Sequence, residues 1–149
     1  MGTRSMVAIR EDGHAKGRYV HWDGYPSGVG LALLKMVERD GLERVTEVLT
    51  REHYGWSTVD AQGVIADEYA FMYPPTRFEA VPGYGVAFVN DTEQSDEWID
   101  LDDDSDDWCE YAYVLTSEGL EVYEQGAGWK PLGTVAWDPS SVGKLQAMG

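Results

Sequence analysis

Between Asp91 and Glu110 the chain reads DTEQSDEWIDLDDDSDDWCE, a run with 11 carboxylates and neither Lys nor Arg. Nothing else in the sequence limits the fold as much. Taking an unpaired carboxylate out of water costs several kcal/mol, so this run is too charged to form core. Its apolar residues, Trp98, Ile99, Leu101 and Trp108, sustain neither a helical nor a strand period. The core must therefore come from the flanking segments. With 149 residues the chain suits a single domain over 1–149, carrying an acidic loop or insert at about 91–110.

The charge is segregated well beyond that run. Residues 78–129 hold 15 acids and no Lys or Arg, whereas residues 1–77 nearly balance, with 11 acids against 9 bases. Lys130 and Lys144 face Asp138 in the remainder, and the whole chain carries −16. Such a field repels phosphate backbones and anionic lipid, which excludes direct nucleic-acid binding and membrane adsorption as expectations. Hydrophobic residues at 43% supply enough material for a sizeable core. No apolar run approaches the ~18 residues of a membrane span, and no leader-like segment opens the sequence, so a soluble, cytoplasmic protein is expected. The single cysteine, Cys109, precludes an internal disulfide and agrees with a reducing compartment.

Either side of the acidic run the patterns are regular. Met6-Val7-Ala8-Ile9 predicts a buried strand within residues 3–10, Asp12-Gly13 a tight turn, and residues 17–22 the returning strand. A helix is expected from Ser27, whose hydroxyl can cap it, to Gly41, with Val29, Leu33, Met36 and Val37 on its apolar face. Leu42, Val45, Val48 and Leu49 mark a second helix ending around Gly55. Residues 57–83 give a weak pattern, and Pro74-Pro75 excludes a regular central strand there. Residues 84–89 predict a strand, residues 111–123 a hairpin, and residues 129–137 a last strand interrupted by Pro131 and Gly133; residues 140–149 are expected to be loose. The sum is an α+β fold, an antiparallel sheet with a helical hairpin packed on one face.

Two constellations stand out. In His21-Trp22-Asp23-Gly24-Tyr25-Pro26-Ser27-Gly28, an imidazole, a carboxylate and a phenol meet at a strand-to-helix junction, where helix-start N–H groups can receive an anion. His21, Asp23, Tyr25 and Ser27 are thus candidate binders of a small anionic ligand; the plainer alternative is that they shape and anchor a turn. In the acidic run, Trp98, Asp102, Asp103, Asp104, Asp106, Asp107 and Trp108 are candidates for docking a basic protein, the plainer alternative being a solvated loop.

Other chemistries find no pattern. Gly24, Gly28 and Gly30 match neither phosphate-loop fingerprint, lacking a Lys after the last glycine. Asp100, Asp102 and Asp104 begin like a calcium loop, but Ser105 replaces its glycine and Tyr111 its closing Glu. His14, His21, His53 and Cys109 lack zinc spacing. Cys109, beside Glu110, is a poor nucleophile, and Ser5 and Ser27 have no base partner in sequence. No cofactor, metal or catalytic residue is expected.

Met1-Gly2-Thr3-Arg4-Ser5, followed by His21-Trp22-Asp23-Gly24-Tyr25-Pro26 leading into a helix, resembles a family of small phage and prophage proteins, and Glu110-Tyr111-Ala112-Tyr113 is similar to that family's C-terminal half. The likeness covers the first third best and does not extend to the acidic insert. It implies a viral origin and action in a bacterial cytoplasm, and no reaction. Three functions are compatible with these features: binding and modulating a host or defence component, binding or turning over a small anionic ligand at the HWDGYP turn, and mimicry of nucleic acid.

Overall fold

The computed structural model describes residues 3–89, 98–101 and 109–149. Its organising element is β1 (Ser5–Glu11), which Asp12-Gly13 joins to β2 (His14–Val20). Both turn residues take positive φ, 54° and 80°, as the tight hairpin requires. β1 pairs antiparallel with β2 on one side and parallel with β7 (Tyr111–Thr116) on the other, in the register Ser5↔Tyr111 to Ala8↔Val114. Met6, Val7 and Ala8 have no exposure at all, which is why their run is uninterrupted by polar residues: the strand is covered on both faces.

Outward from this pair lie β3 (Gly55–Val59), β5 (Gly85–Phe88) and β4 (Phe78–Val81) on one flank, and β8 (Gly119–Gly126) and β9 (Gly128–Val135) on the other. Among the described residues the order is β4-β5-β3-β2-β1-β7-β8-β9, and β6 (Ile99–Asp100) also pairs with β2. The α+β class stands, but the sheet is mixed, because β1–β7 and β2–β3 run parallel. Short turns oblige neighbouring strands to run antiparallel; the long connections before β3 and β7 leave room for a parallel return. The outer strands differ: β9 contains Lys130, Pro131 and Gly133, while β4 has neither Pro nor Lys.

Helices cover one face. A wide π-helical turn at Pro26–Gly30 runs into α1 (Leu31–Asp40); Gly41, at φ 90°, redirects the chain into α2 (Leu42–Thr46), which continues as a second wide turn at Glu47–Arg51. Val29, Leu33, Met36, Val45, Val48 and Leu49 form one core with Val7, Val20, Trp56, Tyr113 and Val122 from the sheet. The C-terminal residues are not loose. Asp138 accepts a hydrogen bond from the Ser140 N–H at 2.8 Å, and α3 (Val142–Met148) then places a fully buried Leu145 in the same core.

The opposite face carries a smaller core of Met6, Ala8, Ala15, Ala112 and Val114, closed by Leu101 and Cys109. Individual residues of the acidic run, Leu101 and Cys109, therefore do belong to the interior. Ile99 pairs with Gly17 and the Leu101 N–H donates to the Ala15 carbonyl at 2.9 Å, so apolar side chains are buried while Asp100 stays exposed. β3 corrects the weak stretch after Ser57. Its Trp56 is fully buried and donates from Nε1 to the Leu49 carbonyl at 2.9 Å, a long-range placement that no local period reveals.

The end of α1 is clamped to the loops around β4 and β5. Arg39 donates to both Asp40 oxygens, at 3.0 and 2.8 Å, and to the Ala61 and Gly83 carbonyls; the Tyr84 hydroxyl donates to Asp40. The Arg39 hydrogen bonds, then that of Tyr84, hold the Asp40 carboxyl down at about 2, below its usual 3.8. A depressed carboxyl stabilises the fold fully above its unfolded pKa and ceases to do so as pH falls through the folded one. Denaturation midpoints should therefore fall between about pH 4 and pH 2, and Asp40→Asn should lose part of that acid sensitivity; an identical pH profile for the variant would disprove the clamp.

Candidate functional site

The HWDGYPSG segment joins β2 to α1, and its backbone is tightly prescribed. Asp23 lies in the left-handed region at φ 57°. Its carbonyl accepts from the Val29 N–H at 2.9 Å, and the Tyr25 carbonyl accepts from the Gly28 N–H at 2.8 Å. A Cβ on Gly24 would stand 2.6 Å from the Thr3 carbonyl oxygen, and one on Gly28 would stand 2.3 Å from that of Asp23. Beneath the bend, the buried Tyr113 hydroxyl donates to the Gly24 carbonyl, and burial pushes the Tyr113 phenol well above its usual pKa, keeping the proton for that bond. Ser27 does not cap the helix. The Gly28 and Val29 N–H groups are already satisfied by backbone carbonyls, and the Ser27 hydroxyl donates instead to the Gly149 carbonyl at 2.8 Å.

Three of the four candidate ligand-binding side chains come together. Asp23, Tyr25 and Ser27 line an open depression of about 280 Å³, with Lys35, Asp60 and Gln62 on its other walls. The Tyr25 hydroxyl lies 3.3 Å from Asp23 Oδ1, and the Asp23 charge, then burial, raises the Tyr25 pKa. Asp60 Oδ1 accepts from the Gln62 N–H at 2.6 Å. His21 is not part of this depression. Its Nδ1 is 2.7 Å from the Tyr19 hydroxyl, and its ring meets Trp22 edge-on at 4.7 Å. Burial, then the Arg4 charge, lowers the His21 pKa from its ordinary value, favouring the uncharged imidazole. The depression thus sets two carboxylates against one ammonium, beside the Tyr25 phenol and the Ser27 hydroxyl, a set able to hold a polar group by hydrogen bonds.

Of the candidate docking residues, Asp102, Asp103, Asp104, Asp106, Asp107 and Trp108 lie outside the described residues. Trp98 is half-buried and engaged within the chain: the Arg18 guanidinium lies 3.6 Å from its ring centroid and the Lys16 ammonium 5.1 Å. Arg18 is only 4% exposed, donates from Nε to the Thr50 carbonyl at 2.8 Å, and also lies 4.8 Å from the Tyr54 ring. This cation-on-aromatic contact roots the middle of the acidic run, at Trp98, on the sheet. The sequence did carry a signal for it: Lys16 and Arg18 alternate with Ala15, Gly17 and Tyr19, which puts two cations on one side of a strand where partners are needed.

A second polar group escapes sequence reasoning altogether. Arg10 on β1 donates to Glu121 at 2.5 Å and to the Tyr123 hydroxyl at 2.8 Å, and Tyr123 donates to Glu121 at 2.6 Å. Burial disfavours the Glu121 carboxylate, but the bonds from Arg10 and Tyr123 outweigh it and its pKa falls below the usual value. Only the β1-β7-β8 order brings these three together. Among the described residues, no cluster of three or more His, Cys, Asp or Glu side chains could hold a metal, and no helix is long and apolar enough to cross a membrane. No family model, curated protein or solved structure matches the chain.

If the bend is scaffold, its buried supports should matter more than its exposed side chains. Tyr113→Phe, which leaves the Gly24 carbonyl without its donor, should cost about 1–3 kcal/mol, and Gly24→Ala should cost about 1–3 kcal/mol through overpacking. His21→Ala should stay within about 1 kcal/mol. Urea denaturation of the three variants reports the ranking, and a neutral Tyr113→Phe would contradict it.

Proposed function

We propose that this protein is non-catalytic and works by binding a cationic protein and modulating it, with its acidic middle third as the recognition element. The observation that carries this reading is the segregation of charge: 15 acids and no Lys or Arg in residues 78–129 of a chain that is otherwise nearly balanced. One-signed patches steer oppositely charged partners and raise association rates in a salt-dependent way. The placement of the described residues within the run adds support: Trp98 rests on Arg18, and Leu101 and Cys109 are buried against the sheet. The resemblance of the N-terminal motifs to small phage and prophage proteins favours, as part of this proposal, a host or defence component of a bacterial cytoplasm as the partner.

The ligand reading centred on HWDGYP has less behind it. Two carboxylates line the depression, the Gly28 and Val29 N–H groups are already bonded, and His21 points elsewhere. Mimicry of nucleic acid is a special form of the main proposal, in which the partner's own site is one for phosphate backbones.

Capture from a bacterial lysate, repeated up to about 1 M salt where the screening length is ~3 Å, tests the proposal. A basic protein should be retained at low salt and released as salt rises. Changing Asp102, Asp103, Asp104, Asp106 and Asp107 together to Asn should abolish retention. Competition by DNA or RNA for the same protein would identify mimicry. Retention that ignores salt, or survives the five substitutions, would overturn the assignment of the acidic run.

A further inference from the structure

The connection from β3 to β4, residues 60–77, departs from the rest of the surface. Its 3₁₀ turn, Asp67–Met72, contains no buried residue. Val64 is 61% exposed, Tyr69 52%, Phe71 81% and Met72 50%, whereas the other large apolar side chains on the described surface, Trp22 and Tyr25, reach 36% and 37%. Scattered apolar residues on a surface are ordinary, but four within nine positions form a patch of the kind that marks a contact site.

The arm is held firmly at its base. Where it leaves β3, Arg39 donates to the Ala61 carbonyl at 3.1 Å, and the Gly83 N–H donates to the Gln62 carbonyl at 2.9 Å. Where it returns, Tyr73 packs edge-on against Phe78 with centroids 5.0 Å apart, and Phe78 lies 5.5 Å from Phe88. The Arg77 and Phe78 N–H groups both donate to the Pro74 carbonyl at 3.0 Å. With both ends fixed, the exposed side chains are presented without a large ordering cost on binding.

The charge around the arm selects the occupant. Residues 60–77 hold three acids, Asp60, Asp67 and Glu68, against one base, Arg77. Asp67 and Glu68 stand in the same turn as Tyr69, Phe71 and Met72. We propose that this arm is a docking element for a protein partner that presents an apolar cleft bordered by Lys or Arg. The apolar side chains fill the cleft and the two carboxylates meet its rim. A second copy of the chain is the poorer fit, since it would bring like-charged turns together between bodies of −16 each. The inference rests on the reading of a cationic partner and adds a second contact to it, apart from the acidic run.

Binding of two synthetic peptides, an amphipathic Leu–Lys helix and an all-Lys chain of equal length, separates the two claims. Backbone NMR would locate the contact, and Phe71→Ser with Met72→Ser would remove it; both side chains are exposed, so the double variant should keep its melting temperature. The expected result is perturbation of residues 64–72 by the Leu–Lys peptide and a loss of about tenfold or more in its affinity in the double variant. Equal binding of both peptides with residues 64–72 unperturbed overturns the arm and leaves the cationic-partner reading standing. Failure of both peptides to bind overturns the two together. A dimer in sedimentation that the double variant dissolves overturns the proposal in favour of self-association.

Discussion

The structure depends on a single strand having neighbours on both sides and cover on both faces. β1 is the strand where the two halves of the sheet meet, antiparallel to β2 and parallel to β7. An unpartnered polar side chain is costly at that position, a cost that Met6, Val7 and Ala8 avoid and that the equally buried Ser5 hydroxyl, unbonded among the described residues, does not. The parallel bond to β7 has a further effect. Everything from His21 to Glu110, helices, three flanking strands and the acidic run included, must be accommodated in the crossover between β2 and β7. Loop closure over such a distance is repaid only once both sheet halves are in place, so the two cores form as one cooperative unit.

Cations are scarce in this molecule, and the described ones are largely spent on holding elements together. Arg39 ties α1 to the β3–β4 and β4–β5 loops, Arg10 ties β1 to β8, and Arg51 with Lys16 grips Glu11 at the first hairpin. Arg18 does this most economically, bonding the turn after α2 with Nε and offering its flat surface to two aromatic rings. Among the described residues, positive charge has gone largely into such internal fastening.

Much of the fold was legible in sequence, for reasons that lie in particular residues. Asp12-Gly13 and Ser117-Glu118-Gly119 announce hairpins because their turns need backbone that Gly, and to a degree Asp, adopts readily. Gly41 announces a helix end for the same reason. Parallel pairing was not legible, since an apolar strand reads alike in either direction. Nor was β3, whose Trp56 is interior only because α2's continuation supplies a carbonyl to its indole. Leu101 and Cys109 within the acidic run were misjudged as solvent because composition averaged over twenty residues hides single buried positions. At the HWDGYP bend, Gly24 and Gly28 stand at backbone contacts too close for a side chain, whereas the separation of His21 from Asp23 and Tyr25 requires coordinates.

The two borders of the sheet are unequal, and the inequality has an assembly consequence. β9 is interrupted by Pro131 and by a register shift opposite Val122 and Tyr123, which deny a newcomer a regular ladder. β4 spans only four residues, Phe78–Val81. With the β9 margin refractory, edge-to-edge addition of copies cannot propagate into a fibre, since such growth requires two compatible ends.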